Sequence, residues 1–109
     1  MARFRAGPAR NVKKRHHVVP GLEALVDRIG AAPGVEAVIP GRIRPLPRGV
    51  PPSVTFQYRT ESGFKLLGRA GGAVQEIFVV SAEPDEALRR CVEAGLVEPL
   101  RGGRDDPGR

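Results

Sequence analysis

Two adjacent histidines, His16 and His17, are the first candidates for chemistry in this sequence, because they are its only imidazole groups. Imidazole nitrogen is a common zinc ligand, but zinc in proteins normally takes four ligands. In an extended chain the two rings point to opposite sides, so both can bind one ion only across a bend. The favoured interpretation is that the pair ends a basic segment and donates to phosphate at lower pH. The alternative is a zinc or similar site at His16 and His17 that needs further ligands, such as Glu76.

A glycine-containing stretch, GFKLLGRAGGAVQEIFVV, is the second candidate. Lys65 and Arg69 precede its glycines on the same side of a predicted strand. Residues 68–71 are similar to the G-x-x-G loop of KH RNA-binding modules, in which glycine lets the backbone approach nucleic acid closely. That family places a helix on each side of the loop, whereas the flanks here are rich in β-forming residues. A strand turn is the favoured interpretation, and Lys65 and Arg69 could still contact phosphates.

The charge distribution predicts a polyanionic partner. The formal net charge is +6; residues 1–22 carry six cationic side chains and no acid, and residues 37–75 carry six against one acid. Such segregation is typical of a surface that faces a polyanion, and ordinary solvated arginines are the alternative. The candidate phosphate-contacting residues are Lys13, Lys14, Arg15, Arg42, Arg44, Arg48, Arg59, Lys65 and Arg69.

Nucleic acid is the partner that this pattern favours, RNA or a ribosomal site rather than sequence-specific DNA. Phe56, Tyr58 and Phe64 occupy interior positions of the predicted strands, so few rings are left to stack on bases. Contact with backbone phosphates is therefore expected, with an affinity that falls steeply as salt rises. A protein partner, bound at a sheet edge or at the proline-rich loop of residues 45–52, is a further alternative.

Enzymatic motifs are missing from the sequence. It contains no P-loop, no G-x-G-x-x-G and no nucleophile elbow, so a non-enzymatic binding module is expected. Gln75 and Glu76 are one polar pair inside an apolar strand. They point to opposite faces, so one is expected at the solvent and the other buried beside Arg69 or Lys65.

The hydrophobic pattern predicts an α+β domain. Apolar residues at i, i+3, i+4 and i+7 predict a helix that starts after Pro20-Gly21, and a second helix is predicted between Ser81 and Gly95. Between them, period-two alternation predicts four strands. The expected fold is a four-stranded, mainly antiparallel sheet with two helices on one face, in the order α-β-β-β-β-α.

The chain is 109 residues long, which suits one domain. Its expected parts are a basic flexible arm (residues 1–17), a single domain (residues 18–100) and a flexible tail (residues 101–109). No apolar run is long enough for a membrane span or a signal peptide, and the single cysteine, Cys91, excludes an internal disulfide. A cytoplasmic protein is therefore expected.

Three segments together resemble one known family: HHVVPGLEALVDRI, PGVEAVIPGRIR and the glycine-containing stretch. Residues 40–43 and 73–79 are the most specific parts of this likeness. The family is small, prokaryotic and uncharacterised, and is described as predicted metal-binding proteins of unknown function. Some members carry a cysteine-rich zinc ribbon ahead of this block, whereas the corresponding arm here contains no cysteine. The resemblance implies metal binding, for which His16 and His17 are the candidate ligands in this chain.

Overall fold

A computed structural model describes residues 9–99 of the chain. The elements are helix α1 (Glu23–Gly30), strand β1 (Ala37–Thr60), strand β2 (Gly63–Val80) and helix α2 (Pro84–Glu93). A 3-10 turn at Arg15–His17, here named the histidine turn, precedes α1. The predicted α+β class and both helices are confirmed. None of the helices in the described part of the chain is long and apolar enough to cross a membrane.

The two strands form one antiparallel hairpin, closed where Thr60 pairs with Gly63. β1 has 24 residues and β2 has 18. Register shifts at four points absorb the difference, between Pro40 and Ile43, twice in the segment from Pro45 to Ser53, and between Phe56 and Tyr58. Each extra residue in β1 changes the face of the sheet to which the following side chains point.

Strand β2 folds back on itself. A straight strand would separate residues 65 and 76 by about 36 Å, yet Lys65 Nζ lies 3.3 Å from Glu76 Oε2. Gly71 has a φ of +56°, a left-handed conformation that glycine adopts without a steric penalty, and it lies at the middle of the strand. The glycines therefore turn the chain, and the structure shows two long bent strands where four were predicted.

Alternation along β2 gives the sheet an inner and an outer face. The inner face carries the buried β2 residues Phe64, Leu66, Gly68, Ala70, Gln75, Ile77 and Val79. These pack with residues of both helices into one core that includes Val26, Ile29, Ala87 and Cys91. The outer face carries Lys65, Leu67, Arg69, Val74, Glu76 and Phe78, all partly exposed. The predicted packing of helices against the sheet is thus confirmed on the inner face.

Two further segments pair with the edge of β1 that β2 leaves free, one near each end of the strand. Val12 forms a parallel bridge with Val38, and Glu98 forms one with Thr55. Lys13 N donates to Val38 O at 2.8 Å, and Glu98 N donates to Val54 O at 2.8 Å. These contacts occupy backbone groups that a protein partner would need for strand addition.

Residues 9–17 pack against the domain, although the sequence predicted a flexible arm up to residue 17. Val12 is buried, and the Asn11 amide donates to Gly30 O at 2.9 Å. One valine and one asparagine make these contacts, and so short a signal has no periodicity to reveal it. Residues 1–8 of the predicted arm and the predicted tail lie outside the described residues.

Candidate functional site

The histidine turn brings the two imidazoles together. Lys14 enters it with a left-handed φ of 42°, and His17 N donates to Lys14 O at 2.8 Å. The ring centroids of His16 and His17 lie 4.3 Å apart with planes tilted by 56°, and both side chains are exposed. The bend that a shared metal ion requires is therefore present.

Gln75 holds this turn from the inner face of the sheet. Its side chain is 1% exposed. The amide oxygen accepts from Val19 N at 2.9 Å, and Nε2 donates to His17 O at 2.9 Å and to Gly41 O at 3.1 Å. The buried Gln75 amide thus holds the backbone of residues 17–19, at the end of the histidine turn, to Gly41 in the first register shift of β1. The sequence showed that one of Gln75 and Glu76 must face inward, but not that the turn was its partner.

Arg15 fixes the other end of the turn. Its guanidinium donates to both carboxylate oxygens of Asp27 in α1, with Nη2 2.6 Å from Oδ2. The hydrogen bond to Asp27 raises the pKa of Arg15 above its usual value. Arg15 was predicted to contact phosphate, but its guanidinium already pairs with Asp27, and this contact holds the start of the histidine turn to α1.

A shallow, mainly apolar pocket of about 550 Å³ lies beside the turn. His16 and His17 line it together with Val19, Gly41 and Ile43. Within residues 9–99 no group of three or more His, Cys, Asp or Glu side chains could hold a metal ion. The described chain therefore offers two imidazole donors at the edge of an open pocket.

The other predicted ligand, Glu76, lies elsewhere. It is on the outer face and 3.3 Å from Lys65, whereas its neighbour Gln75 contacts the turn. Cys91 is buried in α2, and burial raises the pKa of its thiol to about 11. A thiol of that pKa stays protonated at neutral pH, and Cys91 is a residue of the core.

The predicted basic residues do not form one surface. Lys65 and Arg69 share the outer face, and Arg44 joins them through its pairing with Val74. Arg59 lies on the helix side instead, where its Nε is 2.9 Å from Asp85 Oδ1 of α2. Lys13, Lys14, Arg42 and Arg48 are exposed along residues 13–14 and β1.

The bulge between Phe56 and Tyr58 explains the misplacement of Arg59 and also of Tyr58. Phe56 pairs with inner-face Leu66, but Tyr58 pairs with outer-face Lys65. Gln57 is the extra residue, and it reverses the alternation that the sequence suggested. Tyr58, predicted to be interior, is consequently 49% exposed.

The likeness to KH modules does not hold in the structure. Residues 68–71 lie inside strand β2, with strand on both sides rather than helix. In this chain the G-x-x-G residues lie at the bend of strand β2.

These features define a small α+β protein with an exposed two-histidine turn. A family model described as "Predicted metal-binding protein (DUF2103)" matches residues 7–97. The chain belongs to this family, which confirms the resemblance drawn from its three segments. No curated protein and no solved structure matches the chain.

Proposed function

We propose that the chain binds a transition-metal ion through His16 and His17. The observation that carries this proposal is the spacing of the rings. With metal–nitrogen bonds of about 2.0–2.1 Å and tetrahedral angles at the ion, two imidazoles that share it have centroids about 5 Å apart. The observed centroids are 4.3 Å apart, so binding requires the two exposed rings to separate slightly and each to turn a nitrogen toward the ion.

The backbone beneath the histidines supports the same proposal. Arg15 holds the start of the turn to α1, and Gln75 holds its end to the sheet. A turn held at both ends loses little backbone freedom on binding, which favours metal affinity. The description of the family agrees with this assignment.

The ligand set is incomplete within residues 9–99, because it contains two imidazoles and no third donor grouped with them. Zinc normally takes four ligands. The remaining positions would be filled from outside the described chain, by water or by an anionic ligand entering the adjoining pocket. Bound there, the ion would supply a positive centre that such an anion could join.

Zinc titration of the full chain by calorimetry, with metal content measured after dialysis, tests the proposal. We expect one zinc per chain in the unaltered protein and no detectable binding in the double variant His16→Ala/His17→Ala. The control is Cys91→Ala, which removes the thiol and should leave zinc stoichiometry unchanged. Equal zinc content in the unaltered protein and the double variant would reject the site.

Contact with nucleic-acid phosphates is a second candidate function, favoured by one contact. Gln75 Nε2 donates to both His17 O and Gly41 O, so the histidine turn, which follows exposed Lys13 and Lys14, is held to the backbone next to exposed Arg42. For single-stranded RNA, each phosphate contact contributes about 0.7 to the slope of log affinity against log salt.

The variant Lys13→Ala/Lys14→Ala should flatten this slope, whereas Arg89→Ala should not, because Glu86 and Glu93 already pair with Arg89. Equal slopes in all three proteins would remove this candidate.

A further inference from the structure

The outer face of the sheet combines exposed aromatic rings with cationic groups. Tyr58 is 49% exposed, and Phe78 and Lys65 of β2 lie on the same face. The ammonium of Lys65 is 5.5 Å from the centroid of the Tyr58 ring and 5.8 Å from that of Phe78. Two rings therefore flank one cation on a face whose opposite side holds both helices.

A small pocket opens between these side chains. It has a volume of about 220 Å³ and is lined by Tyr58, Lys65 and Phe78 together with Thr60 and Ser62 near the end of the hairpin. Pockets for drug-sized ligands hold about 300–1,000 Å³, so this one suits a single planar ring. The hydroxyl and backbone groups at its rim offer donors and acceptors to such a ring.

The charge on this face favours an anionic partner. Arg44, Lys65 and Arg69 lie on it, and among the described residues Glu76 is the carboxylate that pairs with them, at 3.7 Å from Arg44 and 3.3 Å from Lys65. Arg69 donates to the neutral hydroxyl of Thr55 at 2.9 Å. Three cations against one carboxylate leave a net positive surface beside the rings.

We infer that the outer face binds single-stranded nucleic acid, with bases stacked on Tyr58 and Phe78 and phosphates on the neighbouring cations. An open sheet face with aromatic rings and flanking cations accepts unpaired bases, because every base has a flat π-face and every linkage carries a phosphate. A duplex buries those base faces. This inference shares its class of partner with the second candidate function but rests on different residues.

Tyrosine emission can test the inference directly, because Tyr58 is the only tyrosine of the chain and tryptophan is absent. The probe is a twelve-nucleotide oligouridine RNA, with a twelve-base-pair RNA duplex for comparison. We expect the single strand to quench Tyr58 emission as it saturates, after correction with free tyrosine amide for absorbed light. The duplex should bind more weakly and quench little.

Anisotropy of the labelled single strand measures the contribution of each ring. Tyr58→Leu and Phe78→Leu should each weaken binding by about 5- to 150-fold, the equivalent of about 1–3 kcal/mol for one stacked base. Tyr58→Phe should retain the affinity because the ring remains. Arg89→Ala is the control: Arg89 is exposed on α2, on the helix side of the sheet, and already pairs with Glu86 and Glu93, so its removal should leave the affinity unchanged.

Three results would overturn the inference. The first is RNA binding with unchanged Tyr58 emission and unchanged affinity in both leucine variants. The second is no binding of the single strand at low salt. The third is self-association of the chain in sedimentation that Tyr58→Leu abolishes, which would make this face an interface between two copies. Phosphate contact near the histidine turn can fail separately, since Lys13→Ala/Lys14→Ala would then leave the salt slope unchanged while quenching persists.

Discussion

Gln75 and Glu76 are neighbours in β2, and they show how differently the two faces of the sheet use a polar side chain. Gln75 points inward, is 1% exposed and bonds to three backbone groups on two other segments. Glu76 points outward and meets the ends of two cationic side chains, Arg44 and Lys65. The hydrogen bonds of Gln75 hold one turn in place. The carboxylate of Glu76, in contrast, can be replaced by an incoming anion as the partner of the two cations.

The difference shows that burial, rather than polarity, decides what these side chains do. A buried amide must keep all its partners, since an unsatisfied buried group costs about 1–3 kcal/mol. It therefore fixes the histidine turn in one position. An ion pair of exposed side chains contributes about 0–1 kcal/mol; the Arg44 side chain is 61% exposed, so this cation remains available to a ligand. The inner face thus supports a preformed site, and the outer face supports a reversible binding surface.

Gly63→Ala should have the largest effect, because both faces depend on β2 folding back. A Cβ at Gly63 would lie 1.8 Å from Val79 O, a backbone atom that cannot move without the strand. We expect a loss of about 3 kcal/mol or more in the free energy of unfolding, measured with urea. Gly72→Ala is the control, since its nearest atom would be Leu46 O at 4.0 Å. A loss below about 1 kcal/mol for Gly63→Ala would mean that the two halves of β2 are not held together as described.

The inner face could be predicted from the sequence because the spacing of apolar residues reflects which side chains are buried. The helical spacing placed Val26 and Ile29 of α1 in the core, and both are buried. Alternation did the same for Phe64 and Leu66 of β2. These patterns are regular wherever the backbone is regular, and the two predicted helices followed from them.

The outer face could not be predicted, because one extra residue in β1 reverses the alternation without changing composition. Gln57 at the bulge moves Tyr58 outward and Arg59 to the helix side, where Arg59 meets Asp85. Alternation of apolar and polar residues in the sequence does not show where an extra residue enters the strand, so it cannot reveal such a shift. The histidine pair was found from residue type alone, but the role of Gln75 depends on contacts with residues 56 to 58 positions away in the chain.

Gln75→Leu should have the second largest effect and tests whether the inner face holds the histidine turn. The substitution keeps an apolar side chain of similar size but leaves Val19 N and two carbonyls without their partner. We expect a loss of about 2–3 kcal/mol in the free energy of unfolding. Zinc affinity should fall as well, because positioning contacts behind metal ligands typically contribute about 10- to 100-fold. Unchanged zinc affinity in a destabilised variant would separate the role of Gln75 in folding from the proposed metal site.

Glu76→Gln should have the smallest effect on stability and an opposite effect on binding. The change removes the carboxylate that pairs with Lys65 and Arg44 on the outer face but keeps an amide oxygen that can accept from Lys65, at an expected cost of about 1–2 kcal/mol in the free energy of unfolding. It also frees two cations beside Tyr58. If single-stranded RNA lies on this face, its affinity at low salt should rise and the salt slope should steepen by about 0.7 for each phosphate newly contacted. A stable Glu76→Gln variant with unchanged affinity and slope would show that Lys65 and Arg44 do not lie on the path of the RNA, because a freed cation beside a bound phosphate must contribute to that slope.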